Sequence, residues 1–315
     1  MSRTLEDNSL CSMGMREFKM FRSFIHARTG IWLRDGKQVM LASRLSRRLR
    51  HHGMTNFVDY YKYLQGVQEN SEEIRQLINC VTTNKTSFFR EPHHFEFLAQ
   101  NIVPRIQTET QPGASRKIRI WSAASSTGEE PYSIAITLLE ASRQAMRAKA
   151  LAHAPLGSKR DGLPGSVSSL DSWKIEIVAS DIDTAVLEIA KRAIYREDSL
   201  ASVAQPLWKK YFLRGKDDMR GQVKVKPDVS RLVEFKRINL KDSQWPIDGL
   251  FDAIFFRNAL IYFNRETQDV FLRKMACYLK PGGHLFLGNS EHIPWLQDIF
   301  APLRQTMYRL KDVER

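Results

Sequence analysis

From residue 14 to about residue 80 the apolar positions recur at helical spacing, with no alternation of β type. Over 38–50, Leu41, Leu45 and Leu49 repeat every fourth residue and form one apolar stripe. From Lys117 the pattern changes. Short β-rich runs appear at 117–123 (KIRIWSA), 174–180 (KIEIVAS), 232–238 (LVEFKRI), 251–256 (FDAIFF) and 284–288 (HLFLG). Helical candidates separate them, at 131–150, 184–194, 265–279 and, shorter, near 205–212. Alternation of this kind predicts a doubly wound α/β domain, with a mostly parallel sheet covered by helices. The last candidate strand, 305–310, closely follows its predecessor and is expected to pair antiparallel at an edge.

Two stretches break the alternation. Residues 155–171 (PLGSKRDGLPGSVSSLD) are rich in Gly, Ser and Pro and read as a loop. Residues 211–238 carry the basic turn RGKDDMRG and read as a small inserted antiparallel β subdomain. The expected organisation is a helical domain over 14–85, a linker and first helix over 86–116, and the sheet domain over 117–315.

Composition changes this picture in two places. No apolar run approaches the roughly 20 residues that span a bilayer, and MSRTLEDNSL has no apolar core of a signal peptide. Cys11, Cys80 and Cys277 are odd in number and far apart, fitting neither a disulfide framework nor a zinc site. A cytoplasmic, metal-free protein is expected. The net charge is +13 at pH 7, which steers the chain toward acidic partners. Arg44, Arg47 and Arg50 recur every third residue opposite the leucine stripe, with Arg48 beside them and Arg34 and Lys37 before them. Asp35 is the only acid between residues 31 and 58. Such arginines are either a solvated helix face or a binding face for something acidic.

The candidate chemistry lies where strands end. The first strand runs into SAASSTGEEPYSIAI, a loop of small residues and then a helix with Pro131 in its first turn. Small side chains let a ligand approach the backbone. A single glycine, Gly128, is not the dinucleotide fingerprint, and Glu129 and Glu130 stand where a pyrophosphate would go. Those acids suit a ligand bearing cations, or they simply favour the helix dipole. The second strand ends in ASDID. Asp181 is placed to accept hydrogen bonds from ribose hydroxyls, and Asp183 reads as a helix N-cap. At a later strand, Arg257 and Asn258 emerge at the carboxyl end and Tyr262 follows. Asn239 and Leu240 could supply an adenine edge and face in the same way. Asn84, Thr86 and Arg90, interleaved with Phe88 and Phe89, stand before the sheet. His93 and His94 are adjacent, point different ways on a helix, and are not read as metal ligands.

TNKTSFFRE, SAASSTGEEPYSIAI, ASDIDTAVLEIA, INL, FDAIFFRNALIYF, LKPGG and GNSE occur in this order over about residues 15–310. Together they resemble the CheR family of chemotaxis receptor methyltransferases. The resemblance implies a seven-stranded methyltransferase sheet with an N-terminal all-helical domain. It implies methyl transfer from S-adenosylmethionine to glutamate side chains of chemoreceptor cytoplasmic helices, giving glutamate methyl ester and S-adenosylhomocysteine. By motif, the cofactor contacts would be Asn84, Thr86, Arg90, Glu130, Asp181, Asn239, Leu240, Arg257 and Asn258. Arg90 and Tyr262 would be the catalytic pair nearest the methyl, and Glu130 rather than Glu129 would face the cofactor. Arg44, Arg47, Arg48 and Arg50 would meet the acidic receptor helix. A monomer is expected, with no membrane insertion and no nucleic acid as partner. Some family members dock a receptor pentapeptide on the inserted subdomain through a glycine-rich turn. Here Gly215 and Gly221 are kept, but Asp217 stands where a further glycine would align.

Two other readings compete. A nucleic-acid methyltransferase would suit the positive charge, but the (N/D/S)PP(Y/F) motif is replaced by RNAL. A non-catalytic binding module is disfavoured by the intact polar set at the strand ends.

Overall fold

The computed structural model describes residues 12–111, 114–152 and 173–312. The loop expected at 155–171 lies outside the described residues. Four helices come first: α1 (Met15–Thr29), α2 (Gln38–His51), α3 (Phe57–Gly66) and α4 (Glu72–Val81). Asn56 and Ser71 cap α3 and α4 by accepting backbone N–H bonds, and Gly30 closes α1 in the left-handed region at φ 75°. The stripe of Leu41, Leu45 and Leu49 is fully buried against Phe18, Phe21, Tyr60 and Leu77.

The chain then passes through α5 (His93–Phe97), a π turn at 98–102 and α6 (Val103–Glu109) into β1 (Arg116–Ala123), α7 (Glu129–Ala152), β2 (Trp173–Asp181) and α8 (Thr184–Arg192). Next come β3 (Ile194–Arg196), α9 (Gln205–Tyr211), β4 (Phe212–Arg214), β5 (Gln222–Val225), α10 (Pro227–Ser230) and β6 (Val233–Arg237). The last elements are β7 (Phe251–Phe255), α11 (Arg265–Ala276), β8 (Leu279–Phe286), β9 (Phe300–Pro302) and β10 (Met307–Leu310). Among the described residues no helix is long and apolar enough to cross a membrane.

The main sheet is seven-stranded, in the order β6-β2-β1-β7-β8-β10-β9. It is parallel from β6 through β8 and antiparallel at β10 and β9. β7 is buried at every position, as a central strand with both faces covered must be. The register sets Ser122 of β1 beside Phe255 of β7, and Asp181 of β2 beside Arg237 of β6, so the carboxyl ends of four strands form one rim.

The sheets differ from the expected pattern in two respects. β10 pairs antiparallel with β8 as expected, but it is not the edge, because short β9 covers its outer side. The inserted sheet is three-stranded, in the order β3-β5-β4, and begins at Ile194. Residues 233–237 of the expected 211–238 insert belong to the main sheet as β6, paired with β2. β3 is only three residues long and follows α8 directly, too short for alternation to show.

A buried ion cluster holds the helical domain. Glu73 accepts from Arg48, from His52 Nε2 at 2.7 Å and from Tyr60 Oη at 2.5 Å. Burial alone would push its carboxyl up, but the hydrogen bonds from Arg48, Tyr60 and His52 outweigh this and hold it below the usual range. Arg48 is therefore folded inward, which corrects its expected place on a receptor-binding face. Stranding Arg48 by Glu73→Ala should cost about 3 kcal/mol of unfolding free energy, as measured in urea. Because the folded-state value is lowered, the stability Glu73 adds is present above its ordinary 4.5 and is lost as the pH falls below it. Glu73→Gln should lack that part of the acid-induced loss. A cost within the roughly 1 kcal/mol of a surface pair would contradict this role.

Candidate functional site

A cavity of about 670 Å³ opens between the helical domain and the strand rim. It lies within the usual ligand-pocket range of roughly 300–1,000 Å³. One wall is the 31–34 loop after α1, with Lys37, Met40 and Arg44 of the α2 region. Another is the segment 81–90, and the floor is the carboxyl ends of β1, β2 and β7. Asn84, Thr86, Arg90, Glu130, Asp181, Arg257, Asn258 and Tyr262 all line it.

The floor is built by an unusual loop. Ala124 and Ser126 take left-handed φ values of 59° and 50°, and Gly128 reaches 96°. A Cβ on Gly128 would stand 2.8 Å from Ala190 Cβ and 2.9 Å from Tyr195 Oη, so only glycine lets the loop pack against α8. Ser125 N donates to Ser180 O at 2.8 Å, which ties the loop to the end of β2. The backbone is thereby presented to the cavity with no large side chain over it. The Ser125 hydroxyl lines the cavity, buried and without a hydrogen-bond partner.

Asp181 sits beside this loop, almost fully buried. Its Oδ2 accepts from Ser126 N at 2.9 Å and its Oδ1 from Asp183 N at 3.0 Å. Burial pushes the carboxyl up to about 6, with those N–H groups pulling the other way. Asp183 is the N-cap of α8: its Oδ1 accepts from Ala185 N and Val186 N. Its Oδ2 accepts from Thr82 Oγ1 at 2.6 Å and Asn84 Nδ2 at 2.8 Å. A capping residue thus also fixes the segment that carries Asn84.

Arg257 is the other fixed point. Its side chain is 1% exposed. Nη1 donates to Glu130 Oε2 at 2.8 Å, and Nη2 donates to Glu91 Oε2 at 2.9 Å and to Arg90 O. Glu130 also accepts from Ser122 Oγ at 2.7 Å. Glu91 accepts from Asn258 Nδ2 and Asn289 N, both at 3.3 Å. Burial would raise Glu91, but Arg257 and Asn258 leave it below the ordinary range. Arg90 lies between Phe89 at φ 50° and Glu91 at φ 58°. Left-handed conformations at two bulky residues cost roughly 1–3 kcal/mol each and persist only when over-determined. Here Ser133 Oγ accepts from Phe89 N at 2.9 Å, and Arg257 holds Arg90 O. The Arg90 guanidinium reaches back to Lys85 O at 3.0 Å, above the cavity.

Some expected site residues are elsewhere. Asn239 does not line the cavity: its Nδ2 donates to Arg28 O at 2.7 Å, and it holds α1 against the sheet. Leu240 packs into the core on one face of the sheet. Arg44 does line the cavity, but its guanidinium caps the end of α4, donating to Val81 O, Thr82 O and Thr83 Oγ1. Of the four α2 arginines only Arg47 and Arg50 are exposed, and neither has an ion-pair partner among the described residues. Glu91 and Glu291 had no role assigned from sequence, although both end motifs quoted above. Glu291 Oε2 accepts from Asn258 N at 2.8 Å and Gly288 N at 2.6 Å, fixing the left-handed Asn258 at the end of β7. A carboxylate next to an arginine in sequence gives no sign that it faces a second arginine 166 residues away.

Comparison with known proteins places the chain in a family. Residues 16–82 match the family model described as CheR methyltransferase, all-alpha domain. Residues 84–154 and 166–309 match the model described as CheR methyltransferase, SAM binding domain. The chain is 39% identical over 292 residues to chemotaxis protein methyltransferase 2 of Pseudomonas aeruginosa, covering 93% of this chain and 92% of that one. It is 41% identical over 293 residues to the chemotaxis protein methyltransferase of Salmonella typhimurium, covering 93% and 89%. The same identity and length hold for that of Escherichia coli, covering 93% and 90%. By model and by relatives, the chain belongs to the CheR methyltransferase family, with S-adenosylmethionine as its cofactor.

Proposed function

We propose that this chain transfers a methyl group from S-adenosylmethionine to glutamate side chains on the cytoplasmic helices of chemoreceptors, as a cytoplasmic monomer. The products would be glutamate methyl ester and S-adenosylhomocysteine. One observation carries the choice of acceptor. The cavity is lined by no histidine and no cysteine, and its two acids, Glu130 and Asp181, are already committed to Arg257 and to backbone N–H groups. No imidazole, thiolate or uncommitted carboxylate lines it to act as general base for a hydroxyl or an amine. A glutamate, with an ordinary pKa of about 4.3, arrives ionised and needs no general base.

The residues fit the cofactor. Asp181 would accept from ribose hydroxyls, a reading supported by its place in the cavity lining, and the orphaned Ser125 hydroxyl and small-residue loop would allow close approach. Asn84, Thr86, Arg257 and Asn258 complete the wall, and Arg90 supplies a cation for a carboxylate. Asn239 and Leu240 are left out of this set because they do not reach the cavity. When bound, the cofactor supplies an electrophilic methyl on a sulfonium sulfur. The protein's task is to hold an acceptor carboxylate in line with it and to strip water from that carboxylate. We assign that task to Arg90, held by its strained flanks, and to Tyr262, both of which line the cavity. Arg47 and Arg50 present unneutralised charge to an acidic receptor helix.

Three outcomes follow. If Arg90 orients the acceptor, Arg90→Ala lowers turnover about 100-fold in a labelled methyl-ester assay, the cost of losing precise placement; unchanged turnover and cofactor affinity would remove it from the site. Charge reversal of Arg47 and Arg50 together raises KM for receptor, and S-adenosylhomocysteine affinity in calorimetry stays constant; a loss of that affinity would mean a folding role instead. Ionised Asp181 can accept from both ribose hydroxyls, whereas protonation turns one of its oxygens into a donor. Its value is raised to about 6, so the ionised form costs the free protein stability above that pH, and the cost disappears as the pH falls. Cofactor affinity should run the other way, weakening as the pH drops from 7 to 5. Asp181→Asn should bind weakly and without that slope, and a slope that survives the substitution would assign it to another group.

A further inference from the structure

A second cavity of about 510 Å³ adjoins the first. Trp32, Arg34, Ile261 and Phe263 line both. The partition is the helical turn at 260–262 that follows the end of β7. The helical domain clasps this partition: Trp32 N donates to Tyr262 O at 2.7 Å, and Ile31 bridges Phe263 in β fashion. Tyr262 faces the first cavity, and Ile261, its neighbour, is shared with the second. Beyond the partition the groove runs on to Arg265, His292 and Trp295.

Its chemistry is distinctive. Trp32 and Ile261 are 38% and 44% exposed, large apolar side chains at the mouth of a site rather than in a core. The Arg265 guanidinium lies over the Trp295 ring. Neither Arg34 nor Arg265 has an ion-pair partner among the described residues, although arginines nearby do: Arg22 pairs with Asp35, and Arg273 with Asp269 and Asp298. The one acid lining the groove, Glu291, is buried and spent on Asn258 N and Gly288 N. The exposed Glu266 follows Arg265 in sequence but does not line the groove.

The geometry points to this groove as the seat of the segment that presents the acceptor carboxylate: an acidic, amphipathic stretch of the substrate protein, with aliphatic side chains on Trp32 and Ile261 and carboxylates on Arg34 and Arg265. The inference rests on the carboxylate-acceptor reading above. Such a segment laid in the groove has its next side chain at the partition, beside Tyr262 and toward the cavity that Arg90 also lines. Apolar floor and uncompensated cations together select that chemistry. Arg47 and Arg50 on α2 add charge that attracts the same helix from a separate element, whereas the groove sets which of its glutamates reaches the cavity.

The test uses the full chain and a purified chemoreceptor cytoplasmic fragment. Arg265→Glu touches only the second cavity, and Ile261→Ser removes the apolar contact. Each should raise KM for the fragment about tenfold or more and change which glutamates are esterified as read by peptide mass mapping, and Arg265→Glu should leave S-adenosylhomocysteine affinity within about twofold. Both variants methylating the same glutamates with unchanged KM would overturn the proposal. So would Arg265→Glu weakening S-adenosylhomocysteine binding as much as it weakens the fragment, since the groove would then belong to the cofactor site. A concentration-dependent dimer that Arg265→Glu disperses in sedimentation would assign the groove to a second copy of the chain. If the unsubstituted protein forms no base-labile ester, the acceptor reading fails first and takes this inference with it. A normal wild-type reaction with indifferent variants defeats the groove alone.

Discussion

The site depends on one buried guanidinium. Arg257 leaves the end of a fully buried strand and is met by Glu130 from α7 and Glu91 from the segment before the sheet. A buried pair is weak evidence for stability, because desolvation offsets much of the Coulomb gain. Here the pairing does something else. It fixes three chain segments far apart in sequence at one point, and it holds the carbonyl of Arg90 as well. The left-handed residues on either side of Arg90 are affordable because that anchor, together with Ser133, leaves the segment no other place to go. A charge in the interior thus sets the position of a charge at the cavity.

The helical domain is joined to the same rim by bonds of a similar kind. Asp183 caps α8 and also takes hydrogen bonds from Thr82 and Asn84, so the end of α4 is registered to the end of β2. Asn79 and Thr184 bond side chain to side chain across the same contact. Asn239 binds the last turn of α1, and Trp32 binds Tyr262. The cavity wall is therefore not a lid laid loosely over a sheet. Each domain contributes polar groups that the other satisfies, and a gap between them of fixed shape follows.

Much of this was legible in sequence, and the reasons for the exceptions are physical. The sheet strands and the N-cap role of Asp183 could be read because periodicity and capping are local properties. The strand-end logic brought Asp181, Glu130, Arg257 and Asn258 to one cavity for the same reason. What failed was anything set by a partner distant in sequence. Arg48 looked like its neighbours Arg47 and Arg50 until Glu73 claimed it from another helix. Asn239 stands near the carboxyl end of a strand as Asp181 does, yet its amide donates to Arg28 O. Glu91 carries no mark that separates it from a solvated acid. The extent of the insert was missed because β3 is too short to show a period.

The division of labour among the basic residues is a consequence of that same satisfaction. A run of arginines with a single acid in its neighbourhood reads as one binding face. Folding splits it: Arg48 serves the core of the helical domain, Arg44 caps α4 at the cavity wall, and Arg47 and Arg50 remain in water. A charge paired with a buried carboxylate, as Arg48 is with Glu73, steers an approaching acidic protein only weakly, since its field is compensated at short range. The field that a partner meets near the cavities comes from cations without a carboxylate partner among the described residues, and Arg34, Arg47, Arg50 and Arg265 are four of these. Arg34, on the loop after α1, and Arg265, at the start of α11, line the groove from the helical domain and from the sheet domain, while Arg47 and Arg50 lie exposed on α2. An acidic helix drawn to them is brought across the groove rather than onto one domain.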